Sequence, residues 1–197
     1  MPKKSLGRNT KGKIVSAAWK LFYEQGYDNT TVEDIIFESE TSKGSFYHYF
    51  EGKDALLGSL SLVFDEKYEE LKQVMPEDMN AVDKLVYMNH ELFIMIDNTI
   101  SVELLARLFS TQLTTRGEKH LLDRSRTYFK LLQQVVRQGL ERGELRSDMT
   151  VNQIMNDYAM FERALMYDWC LSDGGYALSQ YGDRMMPAFL RGYLPQK

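Results

Sequence analysis

Apolar residues along this chain recur at three- and four-residue spacing, and no convincing strand alternation occurs. Ile14, Ala18, Leu21 and Phe22 form a first apolar stripe, and Gly26 follows as a C-terminal cap. Thr30 and Glu33 read as a capping box opening a second helix through Val32, Ile35 and Ile36. A third short helix is expected from Ser42, with Phe46, Tyr49 and Phe50 facing inward. After the polar stretch Glu51-Gly52-Lys53-Asp54, a long helix is predicted from about Lys53 to Met75. Further helical blocks are predicted at approximately 80–97, 101–114, 118–142, 150–171 and 176–194. Gly143, Gly174 and Gly175 sit in the breaks, and Pro187 kinks the last block. The expected fold is all-α. An N-terminal three-helix helix-turn-helix unit (residues 1–53) is joined by a long helix to a C-terminal helical bundle (residues 54–197).

Composition narrows the chemistry. The single cysteine, Cys170, excludes an intramolecular disulfide and a Cys-rich zinc site. The three histidines are scattered without i, i+4 pairing, so no metal site is expected. There is no phosphate loop or dinucleotide fingerprint, and no cofactor is expected. Cys170 with His90 or His120 would be the only nucleophile–base pair to consider. Nothing local activates the thiol, so the chain does not read as an enzyme. The longest uncharged run, Ala55–Phe64, is too short to cross a bilayer. No apolar N-terminal run resembles a signal peptide, so no membrane association and a cytoplasmic location are expected.

The net charge of −4 hides an asymmetry. Residues 1–53 carry eight Lys/Arg against seven Asp/Glu, and the remainder sixteen against twenty-one. Lys3, Lys4, Arg8, Lys11, Lys13 and Lys20 precede the first acid, an electrostatic footprint for a polyanion. Two short helices joined by a tight turn, with a first helix packed behind, is the arrangement that places its second helix in the DNA major groove. Ser42-Lys43-Gly44-Ser45-Phe46-Tyr47-His48-Tyr49-Phe50 fits that reader. Ser42, Lys43 and Gly44 lie in the first turn, where short side chains allow close approach. Ser45, Tyr47 and His48 can project away from Phe46 and Phe50 and donate to phosphates or base edges. Lys53 adds charge at the start of the next helix.

Residues 10–60 resemble the DNA-binding domain of the TetR family of bacterial transcriptional regulators. The resemblance rests on Leu21-Phe22, Gly26-Tyr27, Thr30-Thr31-Val32-Glu33-Asp34-Ile35, the Ser42–Phe50 stretch, and Lys53, Leu56 and Leu57. It implies a homodimeric repressor that binds a palindromic double-stranded DNA operator and is released by a small-molecule effector bound in the C-terminal domain. By motif position, the implied DNA contacts are Thr30, Thr31, Ser42, Lys43, Gly44, Ser45, Tyr47, His48 and Lys53. The basic arm before Lys13 is placed to reach phosphates or an adjacent minor groove. One departure is the turn: Ser39-Glu40-Thr41-Ser42 stands where the family has Ala-Gly-Val-Ser. A left-handed Glu40 would cost about 1 kcal/mol relative to glycine. Thr41 replaces a core valine and can serve as N-cap.

In the C-terminal part, polar residues interrupt apolar stripes at Asn89, Ser125 and Glu162. A buried carboxylate needs a partner. Arg163, Arg124 or Arg126 would make Glu162 a structural ion pair. Alternatively, Glu162 with Tyr158, Tyr128 and Trp169 would suit a cationic or hydrogen-bonding aromatic effector. Asn89, Ser125, Tyr128, Tyr158, Glu162 and Trp169 are thus the candidate ligand residues. Tyr181, Met185 and Phe189 share one face of the last helix and are the candidate dimer contacts, with Gly182 and Gly192 nearby for close approach. An intramolecular core role is the alternative for these residues. The competing functional reading is a helical adaptor whose N-terminal unit contacts protein rather than DNA.

Overall fold

The structure, a computed structural model of the 197-residue chain, describes residues 10–114, 116 and 119–195. Lys3, Lys4 and Arg8 of the expected basic arm lie outside the described residues. Among those described, every regular element is helical: α1 (Thr10–Gln25), α2 (Val32–Glu38), α3 (Lys43–Tyr49), α4 (Lys53–Leu57), α5 (Leu60–Val74), α6 (Ala81–Thr99), α7 (Val102–Thr114), α8 (Thr127–Glu141), α9 (Val151–Leu171) and α10 (Leu178–Leu190). Single 3₁₀ turns cover His120–Leu122 and Arg191–Tyr193.

The first three helices pack around Ile14, Ala18, Phe22, Ile35 and Phe46, all buried. Burying each large side chain contributes about 1.5–3 kcal/mol, enough in sum to fix short helices that would be marginal alone. The predicted connecting helix is interrupted. Gly58 and Ser59 separate α4 from α5, and the Ser59 hydroxyl donates to the Leu56 carbonyl. Packing explains the break. Leu56 and Leu57 are buried at the end of α4, and Leu60 and Phe64 are buried at the start of α5. A side chain at position 58 would also crowd His120, whose Cδ2 would lie 3.0 Å from a Cβ there.

The bundle is closed by α6 against α10, α8 against α9, and α5 against α8. Its helix starts are locally encoded. Asn80 accepts from the Asp83 N–H at the head of α6. Thr150 and Gln153 form a reciprocal capping box at the head of α9. No helix among the described residues is long and apolar enough to cross a membrane.

Candidate nucleic-acid interface and bundle interior

The turn between α2 and α3 sets the exposed helix. Glu40 adopts φ 51°, the left-handed conformation expected of it, although it is not glycine. The Thr41 N–H closes on the Ile36 carbonyl at 3.1 Å, and the Ser39 and Thr41 hydroxyls pair at 2.8 Å. Ser42, not Thr41, caps α3: its Oγ accepts from the Ser45 N–H at 3.0 Å. Phe46 is fully buried beneath the helix. Lys43, Gly44, Tyr47 and His48 are exposed on its other side, and Ser45 is half-buried. The Tyr47 ring meets Phe46 edge-on at 5.3 Å, which anchors the ring base and leaves the side chain 48% exposed. Tyr49, expected inward, is instead 42% exposed. The helix ends there, and extended Phe50 fills the inner slot.

Two of the expected contacts are turned away from this face. Thr30 is 1% exposed and donates to the Gly26 carbonyl at 2.8 Å. The capping box is formed one residue later, by Thr31 and Asp34. The Thr30 hydroxyl is spent on the preceding turn, so Thr31 alone stands exposed at the head of α2. Lys53 also faces inward. Its ammonium donates to the Tyr27 carbonyl at 2.6 Å and the Thr30 carbonyl at 2.9 Å, and lies 4.2 Å from the Tyr27 ring centre. It fastens the α1–α2 loop to α4.

With Glu33 released from the cap, its carboxylate pairs with Lys43 at 3.1 Å across the two helices. The hydrogen bond between them raises the Lys43 pKa and lowers that of Glu33. Sequence spacing gave no sign of this pair, since the partners are ten residues apart on different helices.

The junction with the bundle is polar and specific. Arg107 on α7 holds both oxygens of Asp28 at 2.7 and 2.8 Å and Glu103 at 2.9 Å. Its guanidinium lies 4.8 Å from the Tyr27 ring centre. The Tyr27 hydroxyl donates to Asp54. The Trp19 indole N–H donates to Ser59 at 2.9 Å, at the α4–α5 break. Sequence reading gave no sign of the Arg107–Asp28, Tyr27–Asp54 and Trp19–Ser59 contacts, because these partners are remote in the chain.

Inside the bundle, four of the candidate ligand residues meet. Asn89 donates to Glu162 Oε1 at 3.1 Å, and the Tyr158 hydroxyl lies 3.3 Å from the same oxygen and 2.9 Å from the Leu85 carbonyl. The buried Tyr68 and Tyr128 rings pack with centroids 4.9 Å apart and planes tilted by 43°, and neither hydroxyl has a hydrogen-bond partner among the described residues. No arginine pairs with Glu162. Arg124 donates to Asn156 and Arg126 holds Asp65 at 3.0 Å; among the described residues Arg163 forms no ion pair with Glu162, although its charge acts on that carboxyl. Ser125 and Trp169 stand apart. Ser125 is exposed in the turn before α8, its N–H donating to Asp123. The Trp169 indole N–H donates to the Tyr176 carbonyl at 2.8 Å.

Burial raises the Glu162 pKa above the ordinary 4.5, against the opposing hydrogen bonds from Asn89 and Tyr158 and the nearby Arg163 charge. The folded chain therefore holds this proton more tightly than the unfolded chain. The resulting stability is fully present below the ordinary carboxyl pKa and is lost as pH rises through the raised one. Urea unfolding measured at successive pH values should show that decline, and Glu162→Gln should flatten it. Parallel stability curves for parent and variant would contradict the assignment.

Tyr181, Met185 and Phe189 are half-buried on α10, and Phe189 stacks on Phe161 of α9 at 4.2 Å. Gly182 does not belong to that face. It is buried against Phe93 and Asn89 of α6, and it allows the close approach of α6 and α10 within one chain. Burial pushes the Cys170 thiol up to about 11, so it is protonated at neutral pH.

Residues 14–60 match the family described as bacterial regulatory proteins, tetR family. The chain is 50% identical over 46 residues to an uncharacterized HTH-type transcriptional regulator in the lacX 3′ region of Lactococcus lactis, covering 23% of this chain and 24% of that protein. That relative is thus matched over about a quarter of its length. A longer match, 21% identical over 184 residues, covers 91% of this chain and 93% of a fatty acid metabolism regulator protein of Bacillus subtilis. Among solved structures, Thermus thermophilus FadR, a TetR family transcriptional repressor in complex with lauroyl-CoA, superposes with TM-score 0.73 at 21% identity, covering 94% of this chain and 95% of that one. The helix-turn-helix carried by α2 and α3 lies inside the stretch matched to the tetR family of bacterial regulatory proteins, and the all-helical chain shares the fold of the solved structure.

Proposed function

We propose that the chain is a cytoplasmic transcriptional repressor that binds a palindromic DNA operator as a homodimer and is released by a small molecule. The observation that carries this reading is the exposed side of α3. Buried Phe46 and the Ser42 cap hold Lys43, Gly44, Tyr47 and His48 outward on a helix short enough to enter a major groove. Thr31 at the head of α2, with Lys11 and Lys13 exposed on α1, extends the same reading to flanking phosphates. Residues 1–53 would form the DNA-reading unit. Residues 54–197 would hold the effector and the dimer contacts, the latter through Tyr181, Met185 and Phe189. Asn89, Tyr128, Tyr158 and Glu162 supply the polar groups that an enclosed effector would meet. The Arg107–Asp28 contact is the direct mechanical link from α7 to the reading unit. An effector works here only by its difference in affinity for the DNA-competent and released states.

The test is selection of duplexes from a random pool by the full chain. We expect an inverted repeat whose half-sites lie about one helical turn apart (34–36 Å), with affinity falling steeply as salt rises. A protein that enriches no duplex, or one bound with no salt dependence, would favour the protein-adaptor reading and end this one.

A further inference from the structure

A groove of about 440 Å³ runs along the outside of the bundle between α7, the His120–Leu122 turn and α9. That volume is within the range of about 300–1,000 Å³ that small-molecule sites occupy. Four of the protein's exposed large apolar side chains converge on it: Leu113, Leu122, Met160 and Tyr167, with Phe109 edge-on to Tyr167 at its floor. Three lining residues, Gln112, Lys119 and Arg163, are polar, and Arg163 stands out among them. Arg163 is half-buried in the groove wall and has neither a hydrogen bond nor an ion pair among the described residues. Its sequence neighbour Glu162 is buried in the bundle interior, bonded to Asn89 of α6. The other cation of the lining, Lys119, donates to the Gln112 and Leu113 carbonyls and adds positive potential at the same end. A partly desolvated guanidinium without an acceptor, set in an oily wall, is complemented by an anion attached to an apolar body.

We propose that this groove binds an amphiphilic anion, its head on Arg163 and its chain along Met160, Tyr167, Leu113 and Leu122. Carboxylate and phosphate heads share the required chemistry. Two of the walls lead to the DNA-reading unit: α7 carries Arg107 to Asp28, and the 120–122 turn sets His120 against Gly58 at the α4–α5 break. Occupancy of the groove thereby bears on the elements that hold the reading unit. The binding claim is independent of the DNA-binding proposal and is tested without DNA.

The experiment is calorimetric titration of the full chain with dodecanoate and with dodecyl phosphate, each below micelle formation. We expect saturable binding of one or both heads, weakening on shortening the chain to octanoate. Arg163→Gln should lower affinity at least about tenfold, and Arg163→Lys should restore most of it. Ala164→Trp fills the groove while keeping the arginine in the chain, and should abolish binding. Dodecyltrimethylammonium should bind at least about tenfold more weakly than dodecanoate and be indifferent to Arg163→Gln. Thermal melts of each variant confirm that the fold is kept. Equal dodecanoate affinity in Arg163→Gln, or equal binding of the cationic amphiphile, would overturn the proposal. So would an Ala164→Trp variant that dissociates into monomers by sedimentation yet binds dodecanoate unchanged, since the groove would then be a contact between copies of the chain.

Discussion

Lys43→Ala is expected to cut operator affinity by about ten- to a hundredfold, the range of roughly 1–3 kcal/mol carried by one good contact in a groove. A dimer would lose that contact twice. The slope of affinity against salt should become shallower as well, because phosphate neutralisation and counterion release are lost with the ammonium. Glu33→Gln should act in the opposite direction. In the free protein the Glu33 carboxylate occupies the Lys43 ammonium at 3.1 Å, and both side chains are well exposed. DNA must displace that acid and bring its own charge past it. Removing the carboxylate should therefore raise affinity severalfold, most visibly at low salt, where exposed charges are least screened. Tyr47→Ala should resemble Lys43→Ala in affinity while keeping the salt slope. The measurement is fluorescence anisotropy on the selected duplex at several salt concentrations. Lys43→Ala and Tyr47→Ala proteins that bind like the parent would remove α3 as the reader.

Gly182→Ala is expected to destabilise the fold by about 1–3 kcal/mol, the ordinary cost of overpacking a filled core. For a chain of this size that lowers the melting temperature by roughly 2–4 °C per kcal/mol. A Cβ at this position would lie 2.6 Å from Phe93 Cδ2 and 2.8 Å from Asn89 Oδ1. Phe93 is fully buried and has nowhere to retreat. Asn89 moves only by giving up its bond to Glu162. The variant should therefore melt lower and also alter the pH dependence assigned to Glu162. Gly192→Ala is the matched control, because nothing lies within 4 Å of a Cβ there. Equal melting temperatures for Gly182→Ala and Gly192→Ala would show that α6 and α10 part more easily than their packing implies.

Much of the fold was legible in the sequence because its signals are local. Periodicity placed the helices near 80–97 and 150–171, where Asn80 and Thr150 cap α6 and α9, and the inward stripes of α8 and α9 follow three- and four-residue spacing. Glu40 was placed in its left-handed turn by the geometry that the motif demands. Most of what local spacing missed depends on remote partners, and the capping box is the local exception. The capping box moves from Thr30 to Thr31 because Gly26 claims the Thr30 hydroxyl. Ser125 drops out of the helical stripe because α8 begins only at Thr127, after Arg126 has swung across to Asp65. Lys53 looks like a free cation in the sequence and is a carbonyl anchor in the fold. The same limit covers the candidate site. The exposure of Lys43, Tyr47 and His48 followed from Phe46 needing burial, whereas the Glu33–Lys43 pair, the Arg107 contact and the lack of a hydrogen bond to Arg163 among the described residues emerge only when separate helices meet.

The interruption at Gly58–Ser59 changes how force would travel through the molecule. An unbroken rod from Lys53 to Met75 would carry any tilt of the bundle to its far end, and bending it would cost several backbone hydrogen bonds. Here the rod is pinched: Gly58 and Ser59 keep helical dihedrals, but the Ser59, Ser61 and Leu62 N–H groups donate to carbonyls three residues back. α4 is fastened to the α1–α2 loop by Lys53, so it and the three helices above it would swing as one rigid lever. The pivot is a two-residue elbow, steadied by Trp19 on one side and His120 on the other. Restoring a straight, stiff segment there would be expected to jam the hinge without disturbing either arm.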